Sequence, residues 1–194
     1  MTRAPLDRDA VLSAAAELAD RDGFDSISVS ALARHLGVQP ASLYSHVRDR
    51  AAVLDGVHTL ALAELAELIA VETAGRSGRD ALAGLAEAHR SYAGEHPGRW
   101  AALHSRAAPE TARSDAAARV VSLLWAVLRA YDLAEAELVH ATRFVGGTID
   151  GFLALERAGA YAHRDEASDH SWQRVVDAMD RALASWPTDD EVPA

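Results

Sequence analysis

Apolar residues recur along this chain at intervals of three and four, the repeat of a helix with one buried face, and no run alternates convincingly as a strand would. The spacing predicts a first helix over about Asp7–Asp22, with Val11, Ala15, Leu18 and Ala19 on one face and Gly23 as its stop. A short helix follows near Val29–Leu36, capped by Ser28 and broken by Gly37. A second short helix covers about Pro40–Val47, its proline at the tolerated first position. Asp49 then opens a long helix carrying Val53, Leu54, Val57, Ala61, Leu65, Leu68 and Ile69, which lasts to a break at Gly75–Gly78. Five further helices are predicted over roughly Arg79–Glu95, Pro97–Arg106, Ala112–Tyr131, Ala134–Ala160 and Ser168–Trp186, with an acidic, frayed tail after Pro187. The expected fold is all-α: residues 1–50 form a small three-helix module, and the fourth helix joins it to a larger helical body within residues 51–194.

The stretch Ser28–Val47 carries the most information. Two short helices joined at Gly37-Val38 must cross steeply, so the first needs a small residue facing the second, and Ala33 provides it. Leu32, Leu36, Val38, Leu43 and Val47 are spaced to form a small core beneath both. That arrangement turns the second helix outward, where a DNA major groove can accept it. A helical hairpin inside an ordinary bundle is the plain alternative, but helices this short, followed by a basic segment, are uncommon there.

Charge changes this picture less than its sum implies. A net charge of −10 argues against a nucleic-acid partner, since phosphate contacts need cations. Yet Ser26–Arg50 holds three arginines against one carboxylate, whereas Ala51–Ala194 holds thirteen against twenty-two. A basic segment on an acidic body suits a protein that meets DNA with one end. The absence of cysteine excludes disulfides, thiolate chemistry and Cys-ligated zinc. No apolar run approaches the ~18 residues of a membrane span, and a start with Asp7 and Asp9 does not read as a signal or transit peptide. The expected address is cytoplasmic.

Residues 7–55 resemble the DNA-binding domain of the TetR family, the family of the tetracycline repressor. The likeness rests on Leu43-Tyr44-Ser45-His46-Val47, followed by Arg48-Asp49-Arg50 and the apolar pair Val53-Leu54, with Gln39-Pro40 at the helix start. Two positions depart: many members carry serine where this chain has Gln39, and Arg50 stands at the usual lysine. The resemblance and the side-chain chemistry together make Ser28, Ser30, Tyr44, His46, Arg48 and Arg50 candidates for phosphate contact. Gln39, Pro40, Ala41, Ser42 and Ser45 are candidates for base edges, Gln39 with adenine and Pro40 and Ala41 with thymine methyls. For His46 a capping or packing role is the alternative.

Beyond Ile69 the likeness is thinner. Gly147–Tyr161 is similar to a C-terminal type of the family with a Trp-His-Gly signature, here Ile149-Asp150-Gly151, and His96-Pro97-Gly98-Arg99-Trp100 resembles the loop before its sixth helix. The resemblance implies a ligand-responsive repressor that pairs through its last two helices and acts as a homodimer on a palindromic operator, with a small-molecule effector and no cofactor. Tyr92, Trp100, His104, Trp125, Phe144 and Phe152 are candidates to line a ligand cavity between helices, with simple core packing the alternative for each ring; Arg143 and Asp150 are candidates either to orient a polar ligand there or to form an intersubunit pair. Gly146, Gly147 and Gly151 each cost about 1 kcal/mol relative to alanine inside a helix, which points to close approach of another backbone or a ligand. Leu138, Val145, Ile149, Phe152, Leu153, Trp172, Val175, Val176, Met179 and Leu183 supply apolar surface for core and interface together. The rival classes are a helical-bundle enzyme or metal-binding protein, on the strength of Glu137-Leu-Val-His140, and a helical adaptor without DNA binding. No His-Glu-x-x-His, phosphate loop or dinucleotide fingerprint is present.

Overall fold

Asp7 starts the first helix by accepting the Ala10 N–H on its carboxylate at 2.8 Å, and α1 runs over Arg8–Asp22. Gly23, at φ 93°, turns the chain into a 3-10 turn over Phe24–Ser26. Helix α2 covers Val29–Leu36 and α3 covers Pro40–Leu43, after which α4 extends over Arg50–Thr73. The order continues with α5 Gly78–Glu95, α6 Pro97–Leu103, α7 Pro109–Ala112, α8 Asp115–Leu128, α9 Leu138–Arg157 and α10 Ser168–Ala184. This computed structural model describes residues 6–163 and 167–187; no strand occurs among them, and no helix is long and apolar enough to cross a membrane. The acidic tail from Thr188 lies outside the described residues.

Several boundaries differ from the periodicity. Helix α3 stops at Leu43 instead of Val47, because the next turn tightens: His46 N–H donates to the Leu43 carbonyl three residues back at 2.9 Å, and that carbonyl is shared with the Val47 N–H four residues on, also at 2.9 Å. Pro109 starts a helix rather than breaking one, as a proline in the first turn can. The helix expected over Ala112–Tyr131 is therefore α7, a gap, α8 and a 3-10 turn over Arg129–Tyr131, which Asp132 ends at φ 52°. The one expected over Ala134–Ala160 opens as a 3-10 turn over Glu135–Glu137 before α9.

Contacts divide the chain into two compact units, Met1–Ala66 with Tyr92–Val120, and Glu67–Ser91 with Val121–Ala194. The first unit thus contains the 1–50 segment but extends past it, because α6 packs on α1. Its core joins Val11, Ala15 and Leu18 of α1 to Leu32 and Ala33 of α2, to Leu43 and Val47, to Val53 and Val57 of α4, and to Ala102 of α6. In the second unit Leu82 and Leu85 of α5, Leu128 of α8, Val145, Ile149 and Leu153 of α9, and Trp172, Val176, Met179 and Leu183 of α10 are buried. Charged pairs brace it: Arg79 reaches Asp177 at 2.6 Å, and Arg90 reaches both Glu156 and Asp169 at 2.7 Å while lying over the Trp172 ring.

Candidate nucleic-acid interface

The helix-turn-helix is built from its turn outward. Gly37 takes the left-handed conformation, φ 64° and ψ 38°, and lets Gly37 N–H and Val38 N–H fold back onto the carbonyls of Arg34 and Ala33. Ala33 is 1% exposed where α2 meets α3, and Leu32, Leu43 and Val47 are buried beneath, with Leu36 and Val38 half-buried around them. Fixing these apolar positions inward leaves the others outward. Gln39, Pro40, Ala41, Ser42, Tyr44 and Ser45 are all exposed, so the residues assigned to base reading and one assigned to phosphate share an open face. Gln39 precedes α3 without a side-chain capping bond, which leaves its amide available to a partner.

The phosphate candidates have different structural commitments. Ser28 caps α2, its hydroxyl accepting the Ala31 N–H at 3.1 Å, and Ser30, two residues on, is exposed. His46 is half-buried. The Arg48 side chain is 82% exposed and pairs with Asp49 at 2.9 Å. The Ala52 N–H, and after it Arg48, hold the Asp49 carboxyl below the usual carboxylate range. Arg50 is spent otherwise: its Nε donates to the Ile27 carbonyl at 2.5 Å and its Nη2 to the Asp25 carbonyl at 2.9 Å. It fastens the start of α4 to the turn before α2. Arg34, exposed in the last turn of α2, adds a cation that the sequence reading passed over.

A polar junction that the sequence reading also missed holds α6 on α1. Asp20 Oδ1 accepts the N–H groups of Gly98 and Arg99, both at 2.9 Å. Arg99 Nε lies 2.8 Å from Asp20 Oδ2 as an ion pair, and its Nη1 donates to Glu64 at 2.9 and 3.0 Å. Tyr92 donates to the same Glu64 at 2.7 Å, and burial, then this carboxylate, push its hydroxyl pKa far up. Gly98 permits the approach, since a Cβ there would meet the Ala19 backbone at 2.0 Å. The only advance sign was the Pro97-Gly98 pair; nothing local in Asp20 or Glu64 announced a partner.

The candidate ligand residues fall into both units. Tyr92, Trp100 and His104 belong to the first, with Trp100 buried and its ring centre 4.1 Å from that of His104, the planes tilted by 44°. Trp125, Arg143, Phe144, Asp150 and Phe152 belong to the second. There Trp125 Nε1 donates to Thr142 at 3.2 Å, Phe144 packs on Trp186, and Phe152 packs on Trp172 and Tyr161. Arg143 is exposed and Asp150 half-buried. The apolar set of α9 and α10 is claimed by the chain's own core, Val175 being half-buried and the rest buried. A Cβ at Gly146, Gly147 or Gly151 would meet nothing within 4 Å, so no close approach within the described residues accounts for these glycines. Glu137 accepts Trp186 Nε1 at 2.8 Å, and no group of three or more metal-capable side chains occurs among the described residues.

A short helix presented outward over a buried core of Leu32, Ala33, Leu43 and Val47, with no strand among the described residues, is the geometry of a helix-turn-helix protein. Residues 11–57 match the family described as bacterial regulatory proteins, tetR family, and residues 82–179 match the tetracyclin repressor-like C-terminal domain. An uncharacterized HTH-type transcriptional regulator of Mycobacterium tuberculosis is 33% identical over 162 residues, covering 80% of this chain and 72% of the relative. The crystal structure of Mycobacterium smegmatis BioQ has a TM-score of 0.73 at 21% identity, covering 94% of this chain and 100% of that one. A structure of BioQ with its double-stranded DNA operator scores 0.65 at 20% identity, covering 93% and 99%. TetR-Q116A from Acinetobacter baumannii AYE, in complex with minocycline, scores 0.66 at 24% identity, covering 94% and 97%. At these identities the solved structures establish the fold. The chain belongs to the TetR family and is a DNA-binding transcription regulator, not an enzyme.

Proposed function

We propose that this regulator is a repressor that binds an inverted-repeat operator in the cytoplasm as a homodimer and releases it when a small, largely apolar molecule occupies the C-terminal body. The observation that carries the DNA half is the open face of Gln39, Pro40, Ala41, Ser42, Tyr44 and Ser45 over a buried Leu43 and Val47. Residues 1–50 do the reading, and residues 51–194 do the sensing and pairing. Gln39 and its exposed neighbours meet base edges, while Ser28, Ser30, Tyr44, His46 and Arg48 set register on phosphates. Support for pairing comes from α9, where Val139, Gly147, Gly151 and Leu155 recur along one exposed side, with Val139 and Leu155 at 44% and 50% exposure. Small residues there allow another helix to come close. For the effector, Trp125, Arg143, Phe144 and Asp150 retain accessible surface in the second unit, and the minocycline complex named above is a precedent within the family. Effector and operator must weaken each other by the same factor.

Selection of bound fragments from a random DNA pool, followed by sedimentation of the complex, tests this reading. The expected product is an inverted repeat whose half-sites lie one or more helical turns apart, at roughly 34 Å per turn, bound by two chains. A monomer at micromolar concentration with full operator affinity overturns it.

A further inference from the structure

The cavity at the crossing of α1 and α4 takes no part in the function described above. It is an open hollow of about 410 Å³ to which α7 contributes Glu110 and Thr111, a size within the range of roughly 300–1,000 Å³ that small-molecule sites occupy. Gly56 shapes the crossing: a Cβ there would lie 2.4 Å from Leu12 Cδ2, so the Leu12 side chain occupies space on α4 that a larger residue would make it give up. Leu12 and Leu60 give the cavity apolar wall. Asp9, Asp55 and Glu110 line it against a single Arg8, which leaves the lining net negative. A separate observation points to an occupant. Thr111 lines the cavity and is 3% exposed; its carbonyl accepts from Ser114, but its hydroxyl makes no hydrogen bond among the described residues. A hydroxyl that no protein group engages, on a residue otherwise buried in the wall of the hollow, is free to donate to or accept from a ligand.

We propose that this cavity binds a small primary ammonium compound. The cationic head sits among Asp9, Asp55 and Glu110, one of its N–H groups donates to the Thr111 hydroxyl, and a short hydrocarbon chain lies on Leu12 and Leu60. Arg8 makes an anion the competing occupant, and the apolar wall makes a neutral molecule the other. A cation is favoured because three carboxylates outweigh one guanidinium.

Calorimetric titration of the full chain with hexylammonium, hexanol and hexanoate at low ionic strength separates these occupants without DNA. Hexylammonium should bind at least about tenfold tighter than hexanol, the scale of two solvent-screened carboxylates acting on one charge, and hexanoate should bind least. Its affinity should fall as salt is added, because surface attraction is screened. Asp55→Asn with Glu110→Gln should cut the preference over hexanol to about twofold, and Thr111→Val should weaken the amine alone. An unchanged melting temperature shows that the variants fold; if they do not, the salt dependence of the unaltered chain decides. Equal binding of amine and alcohol, tightest binding of hexanoate, salt-independent amine affinity, or no saturable binding at millimolar amine would each overturn the proposal.

Discussion

Two side chains near the DNA face illustrate how a residue's role depends on what already holds it. Arg48 is free of the fold except for its neighbour Asp49, whereas Arg50 closes two bonds onto backbone carbonyls some twenty-five positions earlier. Arg48→Ala should therefore lower the slope of log affinity against log salt by about 0.9, one phosphate contact, with little change in stability. Arg50→Ala should instead cost about 1–2 kcal/mol of folding stability, since charge-assisted bonds to carbonyls are lost. Arg50→Lys should recover part of that, because an ammonium cannot span both carbonyls with the guanidinium's fixed geometry. Urea unfolding and salt-dependent gel retardation, run on the same variants, check both; a full salt-slope change with unaltered stability for Arg50→Ala would return it to the phosphate set. Gln39, exposed and without a capping bond, should behave differently again. Gln39→Ala should relax preference at one base pair by about 1–3 kcal/mol and leave random-DNA affinity alone. Equal weakening on specific and random DNA would show that Gln39 does not read bases.

At the scale of elements, α6 sits on α1 at a distance only glycine permits. Gly98→Ala offers a sharp outcome because two effects oppose each other. Alanine favours a helix over glycine by about 1 kcal/mol, yet its Cβ would fall at 2.0 Å from the Ala19 carbonyl carbon and oxygen, which are backbone and cannot swing aside. Overpacking of this kind costs about 1–3 kcal/mol, so the variant should melt lower than the parent. A higher melting temperature would mean that α6 does not seat against α1 as described. Helix α3 is the other instructive element. Its existence, start and inward residues were legible from Gly37, Pro40, Leu43 and Val47, but its length was not. Helical spacing cannot distinguish a regular last turn from the tightened one that His46 makes on Leu43.

For the molecule as a whole, His58 links stability to acidity. It is 6% exposed on α4, with Nδ1 3.4 Å from the Ser105 hydroxyl; burial depresses its pKa below the ordinary 6.5, Asp55 opposes that and His104 adds to it. The native state therefore favours the neutral ring. Above about 6.5 neither state carries the proton, and the full stability is present. As pH falls below that value the unfolded chain takes up a proton the native chain resists, so stability declines until the native pKa is passed. His58→Gln should flatten the dependence of the unfolding free energy between pH 7 and about 5. An identical slope in parent and variant would assign it to other groups.

The sequence by itself determined the all-helical class, the positions of most helices and the helix-turn-helix with its core, because periodicity, capping and left-handed glycine turns act within a few residues. Ser28, Ala33, Gly37, Leu43 and Val47 each fulfilled a role set by near neighbours. Tertiary structure alone decided which groups from distant segments share a bond. The Asp20–Arg99–Glu64 junction joins positions 79 and 35 residues apart, and Arg50 finds carbonyls that no local pattern marks for it. It also decided that most of the apolar residues of α9 and α10 are core, leaving exposed small and branched residues such as Gly147, Gly151 and Leu155 on the other side of α9. A helical repeat shows that a residue lies on an apolar face, but what covers that face is settled only by the packing of segments that are far apart in the chain.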